Sequence, residues 1–190
     1  MARFVIYVMV MLGAVGAAAF GYYFCYRYPF WALHAFVVPS ASMCPTICEH
    51  ERIIGQIYPD IPYVPERGEV ILTDSQSETK FIKRVGGMPG DIIAPGPKNE
   101  VLINGKAFQP PPTCGNPKFA PEKVPDFGSD IPFSEIQVAP GSYFVVGDNL
   151  SNSFDSRTKE FGVVRYNRIP GKALMIYFSP SASRLGCEIQ

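Results

Sequence analysis

Pro39-Ser40-Ala41-Ser42-Met43-Cys44-Pro45-Thr46-Ile47 is a serine-rich turn closed by a proline, and it follows a long apolar N-terminal segment almost at once. Proline fixes its own φ, so Pro45 sets the direction of the chain behind Ser42. A serine in such a turn, just beyond a segment able to enter a bilayer, suggests a nucleophile presented at a membrane surface. The rest of the chain predicts a β scaffold to hold it. Nineteen prolines and 17 glycines in 190 residues are too many for a helical bundle and fit short strands joined by many turns. Fourteen phenylalanines and ten tyrosines also favour strands.

Working back from the turn, Phe4 to Tyr26 is a run of 23 residues without a charge, flanked by Arg3 and Arg27. That is about the length needed to cross a hydrocarbon core of ~30 Å. Tyr22, Tyr23, Tyr26, Tyr28, Phe30 and Trp31 gather at its far end, as aromatic residues do at a membrane interface. The organisation predicted is a three-residue N-terminus (1–3), a transmembrane helix (4–27), an interfacial segment (28–36) and a single domain (37–190). Ala17-Ala18-Ala19 offers the alternative of a cleaved secretory signal. The apolar run, however, is longer than the usual signal core and continues past those alanines. Charge alone leaves the orientation nearly tied, with the α-amino group and Arg3 opposing Arg27.

Working forward, Arg52–Tyr58, Gly68–Thr73 and Lys80–Val85 read as strands, the first two separated by a loop through Pro59, Pro62 and Pro65. Val101–Phe108 reads as a hairpin, because Asn104-Gly105 at its centre accepts the positive φ values of a type I′ turn. Nine prolines between Pro95 and Pro132 exclude a central strand or long helix there, so 94–136 is predicted to be an inserted proline-rich lobe. Strand signals return at Ser142–Val146 and Lys172–Phe178.

Seventeen basic and 17 acidic residues cancel, with no basic run to suggest nucleic acid. Beyond Cys25 in the apolar run, Cys44, Cys48, Cys114 and Cys187 allow three disulfide pairings in an oxidising compartment. Cys44 and Cys48 with His50 do not make a plausible four-ligand metal site, so no metal and no cofactor is expected.

Two further blocks stand after the serine turn, in this order. One is Phe81-Ile82-Lys83-Arg84-Val85-Gly86-Gly87-Met88-Pro89-Gly90-Asp91; the other is Gly147-Asp148-Asn149-Leu150-Ser151-Asn152-Ser153-Phe154-Asp155-Ser156-Arg157. With all three blocks, the chain resembles the type I signal peptidases, membrane-anchored serine proteases that use a lysine as base. The resemblance implies a mainly β, signal-peptidase-like domain of several short, coiled antiparallel strands behind one transmembrane helix. It also breaks the tie in orientation and puts the domain on the extracytoplasmic side of a bacterial inner membrane.

A serine hydroxyl needs a base to take its proton. His34 lies in the aromatic run with no motif around it, and His50 lies in Glu49-His50-Glu51-Arg52, which reads as a solvated turn. Lysine serves as base only when neutral; its amine ordinarily titrates near 10.4, and burial among apolar groups lowers that value. With a period of two, Phe81, Lys83 and Val85 share one face of a strand and Arg84 takes the other. Read without the blocks, Lys83 and Arg84 are ordinary edge-strand charges.

By the resemblance, Ser42 is the nucleophile, Lys83 the general base and Ser40 an oxyanion donor beside the Ser42 N–H. Ser153 matches the serine that hydrogen-bonds and aims the lysine. Asp148, Asn149, Asp155 and Arg157 match the supporting wall, although Asp155 and Arg157 read equally as a surface ion pair. Cys44 takes a variable position. Leu150 and Ser151 stand where charged residues are common in the family, which touches local loop contacts only. The implied activity is removal of N-terminal signal peptides from secretory preproteins after small side chains, by a monomer in contact with lipid. The alternatives are a conjugation-type pilin-processing peptidase of the same superfamily and an inactive membrane-tethered binding module.

Overall fold

The computed structural model of the protein describes residues 11, 13–19, 21–22, 32–58, 63–74, 80–97, 100–112, 114–115 and 133–190. The chain divides into two units, 1–33 and 34–190. In the first, the described residues among 11–22 are helical. Among the described residues no helix is long and apolar enough to cross a membrane. Most of the expected span over 4–27, including Cys25, lies outside them, as do Tyr28, Phe30 and Trp31.

The second unit is built from two sheets. The larger has seven strands in the order β1 (Leu33–Val37), β2 (Arg52–Ile57), β11 (Gly171–Phe178), β3 (Val70–Asp74), β4 (Lys80–Gly87), β9 (Ser142–Val146) and β10 (Val164–Arg165). The smaller has the order β7 (Lys106–Ala107), β6 (Val101–Ile103), β5 (Ile92–Pro95) and β8 (Ile136–Gln137). Every strand pair of described register is antiparallel. Register irregularities fall within β11 against β2 and within β4 against β9. Such bulges bend and twist a strand locally.

β9 explains how the sheets hold together. Its five residues are all buried, and a strand sends alternate side chains to opposite faces. Tyr143 and Val145 enter a cluster with Ile71, Val85, Val164 and Ile169. Phe144 and Val146 enter another, with Ile93, Val101, Ile103 and Val138 of the smaller sheet. A third cluster, of Val38, Met43, Ile47, Ile53, Val70, Ala173 and Ile176, lies under the serine turn. The base of the turn is thus packed apolar, with Met43 and Ile47 as its pegs; burying side chains of that size contributes roughly 1.5–3 kcal/mol each.

The strands expected from the sequence form within two residues of their anticipated limits, and Asn104 (φ 50°) and Gly105 (φ 78°) make the hairpin turn. Three differences are physical. β1 begins at Leu33, inside the stretch expected to ride at an interface. β5 runs into the proline-rich region and stops at Pro95, which pairs opposite Val101 at the strand end, where proline is tolerated. β8 and β10 are two-residue strands, too short to carry a periodic signal. Residues 116–132 of the expected lobe lie outside those described.

Candidate active site

Ser42 sits in the tight turn over 41–47, in which Cys44 N–H donates to the Ala41 carbonyl and Ile47 N–H to the Met43 carbonyl. The Lys83 amine, 41 residues on in β4, donates to Ser42 Oγ at 2.9 Å. Ser40 Oγ lies 3.3 Å from Ser42 Oγ. Among the described residues no carbonyl takes the Ser42 N–H, which leaves that donor available beside the hydroxyl.

Lys83 is 2% exposed and Arg84 0%, so neither is an edge-strand charge. β4 is an interior strand, and each of its faces carries a cation that must be accommodated. For Arg84 the answer is a bidentate pair: Nε and Nη2 donate to the two Asp148 oxygens, both at 2.7 Å. The same guanidinium reaches Gly68 O, Gln190 O and Thr46 Oγ1. For Lys83 the only hydrogen bond among the described residues is to the serine. Its amine is lowered to about 8, the net of burial, which pulls it down most, Asp155, which pulls it up, Arg157, which pushes it down, and Asp148, which pulls it up.

The third block forms the wall behind the pair. Asn149 N–H donates to the Ser42 carbonyl at 3.1 Å and its side-chain amide to the Ala41 carbonyl at 3.3 Å, stapling the serine's backbone in place. Asp155 accepts the Gly147 N–H at 2.9 Å and the Arg157 guanidinium at 2.8 and 3.0 Å. Arg157 also donates to the carbonyls of Leu150 and Ser153. Asp155 is 0% exposed and Arg157 4%, so the reading of this pair as a surface contact is wrong. Gly147 is required by proximity: a Cβ there would stand 2.2 Å from Ser153 Oγ and 2.4 Å from the Ser42 carbonyl. Ser153 Oγ is buried without a hydrogen-bond partner, so its implied bond to Lys83 is not made in this structure.

Several contributors escaped the sequence. Glu51, in the run expected to be a solvated turn, is 2% exposed and takes Arg184 bidentately at 2.6 and 2.9 Å. Burial pushes its carboxyl up, but the bonds from Arg184, the Cys48 N–H and Ser179 hold it below the usual value. Arg184 donates onward to the Thr46 and Cys114 carbonyls. The serine turn is thus gripped by two arginines, at positions 84 and 184. The Arg84 signal was legible, since a charge on each face of an apolar strand needs a partner. No local pattern announces Glu51 and Arg184, which lie 133 residues apart. The three pairings left open resolve to Cys44–Cys48 and Cys114–Cys187, so Cys44 is no free thiol. Among the described residues no group of three or more His, Cys, Asp or Glu side chains is placed to hold a metal ion.

The signal peptidase, peptidase S26 pattern matches residues 4–178, and the chain belongs to that family. Signal peptidase I of Bacillus amyloliquefaciens is 33% identical over 147 residues, covering 75% of this chain and 72% of that protein. Signal peptidase I S of Bacillus subtilis is 32% identical over 146 residues, covering 75% and 76%. A solved signal peptidase I from Enterococcus faecalis superposes with a TM-score of 0.38 at 22% identity, covering 59% of this chain and 98% of that one. The protein is therefore a hydrolase of the signal peptidase I type, and the family's reaction is the removal of signal peptides.

Proposed function

We propose that this chain is a single-pass membrane serine endopeptidase in which Ser42 attacks and Lys83 acts as general base. It removes signal peptides from secretory preproteins on the extracytoplasmic side of a bacterial inner membrane. The observation that supports this most is the 2.9 Å bond from a buried lysine amine, held near 8 by exclusion of water, to a serine hydroxyl.

In this reading neutral Lys83 accepts the Ser42 proton as Oγ attacks the scissile carbonyl carbon. The oxyanion is held by the Ser42 N–H and the Ser40 hydroxyl. The ammonium then gives its proton to the departing amine, leaving an acyl-enzyme. Lys83, neutral again, takes a proton from water, which attacks the acyl carbon and releases the new carboxyl terminus and Ser42. Ser153, whose buried hydroxyl lacks a partner, is the group that aims the lysine once the amine shifts toward it. Asp148, Asn149, Asp155 and Arg157 fix the wall. Residues 4–27 anchor the enzyme and raise its local concentration at the emerging substrate.

Ser42→Ala and Lys83→Ala are expected to lower cleavage of a detergent-solubilised preprotein by roughly 10⁴-fold or more, with unchanged circular dichroism. Lys83→Arg is expected to be inactive, because a guanidinium stays charged. Only neutral Lys83 is a base, so kcat/KM should climb with pH and level off above about 8. Near-normal turnover by Ser42→Ala or Lys83→Ala removes the dyad. Cleavage of a pilin precursor in preference to the preprotein would reassign the substrate.

A further inference from the structure

Three phenylalanines form one aromatic cluster that reaches Lys83 through Phe81. Phe81, on the same strand, has its ring centroid 6.0 Å from the lysine amine. Phe161, in the turn before β10, stands edge-on to Phe81 with centroids 5.3 Å apart. Phe154 lies 5.4 Å from Phe161 in another edge contact and 6.3 Å from Phe81. Such edge and tilted contacts add roughly 0.5–1.5 kcal/mol per pair beyond the area they bury.

Phe154 is the odd member. Its neighbours Ser153 and Asp155 are 2% and 0% exposed, and Arg157 bonds the Ser153 carbonyl, so the backbone here is fixed. Yet the phenylalanine itself is 46% exposed. A large apolar side chain on a fixed segment between buried residues is a cover: almost half of it meets water, and its ring lies against Phe161 and Phe81, the second of which borders the amine. We infer that Phe154 is a positioning residue that closes the solvent side of the aromatic shield over Lys83, and so sets the pH at which the base becomes available.

The electrostatic surroundings favour this. The groups acting on the amine are the Ser42 hydroxyl and the charges of Asp155, Arg157 and Asp148. Asp155 is taken up by Arg157 and Asp148 by Arg84. With both carboxylates paired, what keeps the amine from holding its proton is the absence of water, and that depends on the rings. Removing the outermost ring readmits water, favours the ammonium and moves the active range to higher pH.

The inference rests on Lys83 being the base, and its test separates the two ideas. Full-length protein in detergent is assayed for kcat/KM against pH as wild type, Phe154→Ala, Phe154→Leu, Phe161→Leu and Lys83→Ala. For Phe154→Ala the rising limb is expected to move up by about half to one pH unit, which lowers activity at pH 7 about 3–10-fold and leaves the high-pH plateau within about twofold. Phe154→Leu should recover most of the shift, and Phe161→Leu should show a smaller one. A residue that merely stabilises the fold would change the melting temperature and leave the limb in place. An unmoved limb in Phe154→Ala, with Lys83→Ala inactive, overturns the inference and keeps the dyad. A raised KM with an unmoved limb also overturns it and makes Phe154 a substrate contact. Activity in Lys83→Ala, or no limb in wild type, removes the base and the inference together.

Discussion

β9 joins two regions that solve opposite problems. Toward the smaller sheet, Phe144 and Val146 meet Ile93, Val101, Ile103 and Val138 in an apolar cluster. Toward the end that faces the serine turn, the same strand runs into Gly147 and Asp148, and the buried side chains become charged: Lys83, Arg84, Asp148, Asp155 and Arg157. The apolar side is held by area removed from water, which tolerates small displacements. The charged side is held by fixed hydrogen-bond geometry, in which the arginines and carboxylates pair with one another and the lysine bonds only a hydroxyl among the described residues. The difference teaches where precision is kept: the region that must place two atoms 2.9 Å apart is the region built from paired ions.

That contrast breaks most sharply at Asp155. Asp155→Asn leaves the Arg157 guanidinium buried beside a neutral amide. The expected cost is about 3–5 kcal/mol in urea unfolding, together with a large fall in activity of the molecules that remain folded, because the Gly147 anchor is lost. A loss below about 1 kcal/mol would mean the pair is not the wall's support. On the other side, Ile93→Ala is expected to cost about 2–5 kcal/mol by the same measurement. Here kcat/KM per folded molecule should stay near wild type, and a fall matching that of Asp155→Asn would erase the distinction between the two sides. The smallest effect belongs to Lys80, whose 3.1 Å contact with Asp74 involves side chains 49% and 41% exposed. Lys80→Ala should change stability by less than about 1 kcal/mol, and less still at high salt. A larger loss would show that solvent-facing pairs share the work of the buried ones.

Much of this was legible in the sequence where the signal is local. The period of two placed Lys83 with Phe81 and Val85, and Asn104-Gly105 gave its own turn. The serine turn and the Gly147-Asp148-Asn149 block named most of the residues now found around Ser42 and Lys83. What was not legible is long-range. Arg184 grips a turn more than 130 residues away, and Glu51 looks solvated until the segment carrying Ser179 and Arg184 is in place. The choice among three disulfide pairings depends on which chain ends meet in space, and spacing does not encode that. Asp155 and Arg157 read equally as the wall's support and as a surface pair, because two residues of separation says nothing about burial.

The grip on the serine turn also has a consequence in time. Ser42 is made early, but its anchors come from Arg84, Asn149 and Arg184, and the last of these is among the final residues of the described chain. Synthesis delivers these in order, at about 5–20 residues per second. Until Arg184 arrives, the Thr46 carbonyl and Glu51 have lost the partner that settles them, and the hydroxyl has no fixed address relative to the amine. A growing chain therefore carries an unsettled serine turn until its last anchoring arginine has been made.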